Sequence, residues 1–281
     1  MFNRVAILGV GLLGASFALS LKENSLCRTI TGCGRNRENL QKAKERNIID
    51  FFETDPAAAC KDADLVVLSA PVGSFLELAK AIAPALKRGA VLTDVGSVKG
   101  ALVRDLEEIM PKDVHYIGGH PIAGSDRSGI DSANAGLFRD AKCIITPTES
   151  SDPASLEKIK GLWKAVGSEI VMLAPEEHDR IYAAVSHLPH LLAYALVNAV
   201  AEMDGSYLAF SGKGFMDATR IASSSEELWN DICLLNRENL VDALAVFQNN
   251  LDRLAQYLKA GNSDALKNEF RKARTLRERI G

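Results

Sequence analysis

Apolar residues in the first half of the chain fall into short unbroken runs separated by amphipathic stretches. Val5–Gly9 (VAILG), Leu65–Ser69 (LVVLS) and Ala90–Thr93 are continuous rather than alternating, the pattern of strands covered on both faces. Thr29–Gly34, Val114–Ile117 and Lys142–Thr146 add further strands, and Ile170–Leu173 fits one more at the sheet edge. Between them, Ala15–Leu21, Asn39–Arg46, Phe75–Leu86 and Ala101–Met110 carry helical spacing. This alternation predicts an α/β fold: an N-terminal Rossmann-type, doubly wound, mainly parallel sheet.

The pattern changes further on. Residues 146–153 (TPTESSDP) are polar and turn-forming, which predicts a domain boundary, with a dinucleotide-binding domain over 1–152 and a mainly helical domain over 153–281. Beyond Pro175 the spacing is helical almost throughout, with loops near 205–214 and 261–262. Leu188–Val200 is the most apolar stretch; it carries His190 and Asn198, is too short to span a bilayer, and predicts a buried helix. Pro189 lies inside a helix expected from Glu176 to about Met203, so a kink is predicted there. The all-α half has no evident closed core, which predicts that it dimerises with a second copy.

Composition narrows the function. Hydrophobic residues at 47% and charged residues at 25% are ordinary for a globular protein. A formal charge of −3 argues against nucleic-acid binding. The five cysteines are scattered without metal-ligand spacing, so no metal is expected and reduced thiols in a cytoplasmic protein are. The first strand begins too early for a cleavable leader.

Candidate chemistry sits at the strand ends. Gly9, Gly11 and Gly14 have G-x-G-x-x-G spacing between a strand and a helix, with Leu12 and Leu13 opening that helix. The glycines allow a tight turn, close approach of a pyrophosphate and close helix packing, and the helix N-terminus favours the anion. Ala70 and Pro71, Asp94–Lys99 (DVGSVK) and His120 each follow a strand, so all should line one crevice with the glycine loop. After the second strand no acid occurs before Glu38; Gly34-Arg35-Asn36-Arg37 stands there instead. Arg35 suits the 2′-phosphate of NADP, which favours NADP while leaving NAD open. His120, in GGHPIAGSDRSG, is glycine-flanked and titrates in the range of a general base, although a histidine beside proline is often structural. His187 and His190 flank the expected kink, and Arg220 is the lone cation of 214–232, suited either to clamp a carboxylate or to pair with Asp217.

GVGLLG, DVGSVK, GGHPIAGSDRSG and SHLPH followed by GFMDATRIA occur in order from Arg4 to the C-terminus. The ordered set resembles the prephenate/arogenate dehydrogenase family of tyrosine biosynthesis. The resemblance implies oxidative decarboxylation of prephenate with hydride transfer to NAD(P)+. His120 would accept the proton of the ring hydroxyl and Ser97 would hydrogen-bond His120 or that hydroxyl. Arg220 would grip a substrate carboxylate, and His190 and Ser186 would line the substrate pocket. Asp126-Arg127 stands where many relatives carry Glu-Lys, and Asp126 near the substrate side chain would favour the amino group of arogenate. The chain ends soon after its last helix, so tyrosine inhibition would act at the active site. Two rivals are a β-hydroxyacid dehydrogenase, disfavoured because the helix from Glu176 to Met203 has no lysine, and a non-catalytic nucleotide sensor, disfavoured by the polar strand ends.

Overall fold

The computed structural model describes residues 2–124 and 129–280. The chain divides into two compact units, residues 1–236 and residues 237–281. In the first unit the described residues form one eight-stranded sheet, ordered β3-β2-β1-β4-β5-β6-β7-β8. The strands are β1 (Phe2–Leu8), β2 (Cys27–Cys33), β3 (Phe51–Glu53), β4 (Leu65–Leu68), β5 (Val91–Asp94), β6 (His115–Pro121), β7 (Lys142–Thr146) and β8 (Glu169–Met172). All neighbours pair in parallel except β6 and β7. Val5, Ile7, Leu65, Val67 and Val91 face one core layer; Ala6, Leu8, Val66, Leu68 and Leu92 face the other. Both faces are covered, as the unbroken apolar runs require.

The crossovers are α1 (Leu12–Glu23), α2 (Arg37–Glu45), α3 (Pro56–Cys60), α4 (Phe75–Ile82), α5 (Gly100–Ile109) and α6 (Pro153–Ala165). The polar stretch at the expected boundary, 152, leads directly into α6. Asp152 accepts from Ser155 N and caps α6, with Pro153 in its first turn. Trp163 of α6 then packs on Phe17 and Phe138 at ring-centroid distances of 4.8 and 5.2 Å. The chain returns as β8 beside β7, so the sheet runs to Met172.

Helices α7 (Pro175–Tyr182), α8 (Leu188–Asp204), α9 (Lys213–Thr219) and α10 (Glu226–Leu235) complete this unit. A π turn, Ala183–His187, joins α7 to α8, and Pro189 falls in the first turn of α8. The expected irregularity is therefore present as a widened turn ahead of the proline, which lacks an N–H to continue the ladder. The expectation that Leu188–Val200 is buried is not met, because only Ala193 of α8 is buried in the single chain. By length and composition the 36-residue stretch Pro175–Phe210 could cross a membrane, with 17% of its most apolar window buried. The second unit consists of α11 (Arg237–Lys259) and α12 (Ser263–Arg277), joined at Gly261 (φ 61°) and tied by Arg253–Glu269 at 3.7 Å.

Candidate active site

The carboxyl ends of β1, β2, β4 and β5 lie side by side, with Leu8 paired to Cys33 and Leu68, and Leu68 to Asp94. Gly9 leaves β1 at φ 107°. A Cβ at Gly14 would collide with the Gly9 carbonyl oxygen and lie 2.5 Å from Ser69 Oγ, whereas one at Gly11 would meet nothing within 4 Å. Gly11 caps α1 without a side chain, so Leu12 and Leu13 open the helix with bare N–H groups beside open space. Ser69 Oγ donates to the Gly9 carbonyl at 2.7 Å and holds the turn against β4, next to Ala70 and Pro71. The cradle therefore fits a pyrophosphate. Arg35 is exposed at the end of β2, while the neighbouring Arg37 lies 5.4 Å over the Phe52 ring.

One strand over, a buried polar cluster fixes the end of β6. Lys99 and Asp94 are both fully buried and paired at 2.5 Å. Asp94 also accepts from Gly96 N, Tyr116 Oη and Gly119 N at 2.6, 2.5 and 3.2 Å. Burial, and then the Asp94 charge, hold the Tyr116 phenol well above its ordinary range. The close approach needs glycines: a Cβ at Gly119 would lie 2.8 Å from the Asp94 carbonyl oxygen, and one at Gly118 would strike Thr146 Oγ1.

His120 was expected just beyond a strand. It lies within β6 instead, because Gly118–Pro121 pair with β7 after the strand has passed the end of β5. Only 8% of the residue is exposed. Its Nδ1 lies 2.8 Å from His178 Nε2, and His178 Nδ1 lies 2.8 Å from Asp179 Oδ1, which also accepts from Lys99 N at 2.8 Å. Tyr182 packs on both imidazoles, at centroid distances of 4.8 and 4.5 Å. Burial, with His178, Lys99 and His187 nearby, holds His120 well below 6.5. Burial and the Lys99 charge push His178 down to about 2, and burial raises Asp179 to about 6. Near neutral pH both imidazoles are uncharged and Asp179 is ionised.

The remaining expected residues divide. No hydrogen bond joins Ser97 to His120, whose Nδ1 is held by His178; the Ser97 backbone instead lies beside His187. His187 is buried, accepts from Asn236 Nδ2 at 3.1 Å, and is lowered to about 4, chiefly by burial. His190 Nδ1 donates to the Ser186 carbonyl at 3.0 Å, and its ring stacks on Trp229 at 3.5 Å. Burial lowers His190, and the nearby Arg220 charge adds to the shift. Asp126 lies outside the described residues. Sequence reasoning placed Asp94–Lys99 at the crevice without pairing the two ends of that segment, and it passed over His178 and Asp179.

A glycine cradle at α1 and a neutral, buried imidazole at the same sheet edge define a dinucleotide-dependent oxidoreductase. Residues 17–172 match the family model described as prephenate dehydrogenase, nucleotide-binding domain, and residues 174–272 match its dimerization domain. The chain is 32% identical to the prephenate dehydrogenase of Bacillus subtilis over 99% of this chain and 76% of that protein. Identity to the cyclohexadienyl dehydrogenase of Zymomonas mobilis is also 32%, over 99% and 96% respectively. The crystal structure of Aquifex aeolicus prephenate dehydrogenase with hydroxyphenyl propionate and NAD+ superposes with a TM-score of 0.94, at 37% identity over 100% of this chain and 99% of that one. The chain belongs to the prephenate dehydrogenase family. The family boundary, between 172 and 174, coincides with the end of the sheet rather than with the polar stretch at 146–153.

Proposed function

We propose that the chain oxidises prephenate to 4-hydroxyphenylpyruvate and CO2, a step of tyrosine biosynthesis. The observation that carries the reading is His120: a buried, uncharged imidazole in β6, on the edge shared with the glycine cradle, with Nδ1 engaged by His178. Gly9, Gly11, Leu12, Leu13, Gly14, Ala70 and Pro71 would hold a nicotinamide dinucleotide, which would supply the hydride acceptor. His120 takes the proton of the ring hydroxyl at Nε2, which lets a carbonyl form at that carbon. Loss of the ring carboxylate as CO2 then aromatises the ring.

Prephenate carries two carboxylates, so a fixed cation is required. Arg220 fills that role, and its charge already reaches His190. His190 and Ser186 line the pocket, Ser97 hydrogen-bonds the ring hydroxyl, and Asp126 is the residue assigned to discriminate keto from amino side chains. Removing the Arg220 clamp costs about 2–5 kcal/mol of binding. Product-like tyrosine competes with prephenate for the same pocket.

NADP is the preferred cofactor in this reading. Support comes from the absence of an acid in 34–37 and from exposed Arg35, with Arg37 already engaged by Phe52. The NAD+ bound to the Aquifex relative argues the other way. A homodimer is supported by the apolar α8, of which only Ala193 is buried in one chain, and by the match of residues 174–272 to a dimerization domain.

The test follows reduced-nicotinamide absorbance with prephenate and either NADP+ or NAD+. Rapid reduction with NADP+ is expected, and His120→Asn should lower it by roughly 10²–10⁴. Faster reduction with NAD+ reduces Arg35 to a residue packing on the adenine. Turnover of arogenate alone moves the substrate assignment to Asp126, and silence with both substrates overturns the enzyme reading.

A further inference from the structure

We infer that Asp179 and His178 are positioning residues that fix the tautomer of His120 with its Nε2 unprotonated. The inference rests on the proposed role of His120 as base. Donors and acceptors alternate along one line of atoms from Asp179 to His120. Asp179 Oδ1 already accepts from Lys99 N, and as a carboxylate it has no proton to give. His178 Nδ1, 2.8 Å away, must therefore carry the hydrogen of that contact. His178 is neutral and fully buried, so its Nε2 is a bare lone pair. The 2.8 Å contact between His178 Nε2 and His120 Nδ1 then requires the hydrogen to sit on His120. A neutral imidazole with hydrogen on Nδ1 leaves Nε2 as its only acceptor, the atom that must meet a substrate hydroxyl.

The surroundings hold this line in one sense. Asp179 is anchored from the nucleotide domain through Lys99 N, and its main-chain carbonyl accepts from Asn236 Nδ2 at 2.8 Å. Tyr182 stacks on His178 at 29° and meets His120 edge-on, so neither ring can turn freely. When His120 accepts a proton, the His178 lone pair faces the new cation and the Asp179 charge lies one ring further on. The logic is that of an acid orienting a catalytic histidine, lengthened by one imidazole.

Two substitutions separate this role from packing. In His178→Gln, the amide can donate to Asp179 while its oxygen accepts from His120 Nδ1, preserving the sense of the line. His178→Leu fills the space but offers no acceptor. We expect H178L to lower kcat for prephenate by roughly 10²–10⁴, with KM changed less than about threefold, and H178Q to restore most of the loss. Nitrogen-15 NMR of histidine-labelled wild-type protein at neutral pH, assigned by the signal lost in His120→Asn, should show hydrogen on Nδ1 and none on Nε2. A protonated Nε2 in the wild type, undiminished kcat in H178L, or equal losses in both variants would overturn the inference. The NMR reading needs no turnover, so an enzyme inert toward prephenate would remove the proposed function while leaving the tautomer assignment decided on its own.

Discussion

Acidifying the protein from pH 7 to pH 5 should destabilise it by several kcal/mol, because three histidines are buried uncharged. His120 lies well below 6.5, His178 near 2 and His187 near 4, each chiefly through burial. In the unfolded chain all three titrate near 6.5. Below that pH the unfolded state binds protons that the folded state refuses, so stability falls as pH falls. Each histidine contributes about 1.4 kcal/mol per pH unit once well below 6.5. Asp179 works in the opposite sense: raised from 3.8 to about 6, it takes up a proton in the folded state first and restores part of the loss between those values. The balance is a net loss of about 3–5 kcal/mol by pH 5, a large share of the roughly 5–15 kcal/mol that holds a typical domain. Urea midpoints at pH 7, 6 and 5 measure it, provided the m-value stays constant. His178→Gln removes one of the three groups and should flatten the slope by about 1.4 kcal/mol per pH unit. A midpoint that does not move between pH 7 and pH 5 would refute the reasoning, since the rings would then be charged or solvated in the fold.

Three further outcomes follow from close packing and buried charge. Gly14→Ala drives a methyl into the Gly9 carbonyl and Ser69 Oγ, so dinucleotide binding measured by fluorescence titration should weaken at least tenfold. The same overpacking should lower stability by about 1–3 kcal/mol. Lys99→Met strands the Asp94 carboxylate in the core and should cost about 3–5 kcal/mol in chemical unfolding, with Lys99→Met/Asp94→Asn recovering part of it. Gly119→Ala forces the backbone away from the Asp94 carbonyl, 2.8 Å from the new methyl, one residue before His120. A displacement of that kind should lower kcat by about 10²-fold while far-ultraviolet circular dichroism stays unchanged.

The sheet was legible in the sequence because each strand buried on both faces leaves an unbroken apolar run, and Val5–Gly9 and Leu65–Ser69 are such runs. The edge strand β3 was not, since three residues (FFE) with exposed Phe51 carry too little pattern. The polar stretch at 146–153 reads two ways, because Ser, Asp and Pro serve a linker and a helix N-terminus equally well, and Asp152-Pro153 cap α6. His120 and the glycine cradle announced themselves through local chemistry. His178 and Asp179 did not, because their meaning depends on Lys99, 80 residues away, and on β6, which no local window contains. One signal was nonetheless present. In α7 the buried positions are Pro175, His178 and Asp179, with Tyr182 one turn on, so the inward stripe of this helix is polar where leucines would ordinarily stand. Burying an imidazole and a carboxylate side by side is costly unless each is bonded. An amphipathic helix whose buried stripe carries a histidine and an acid therefore points to a partner elsewhere in the fold, and here that partner is the imidazole of His120.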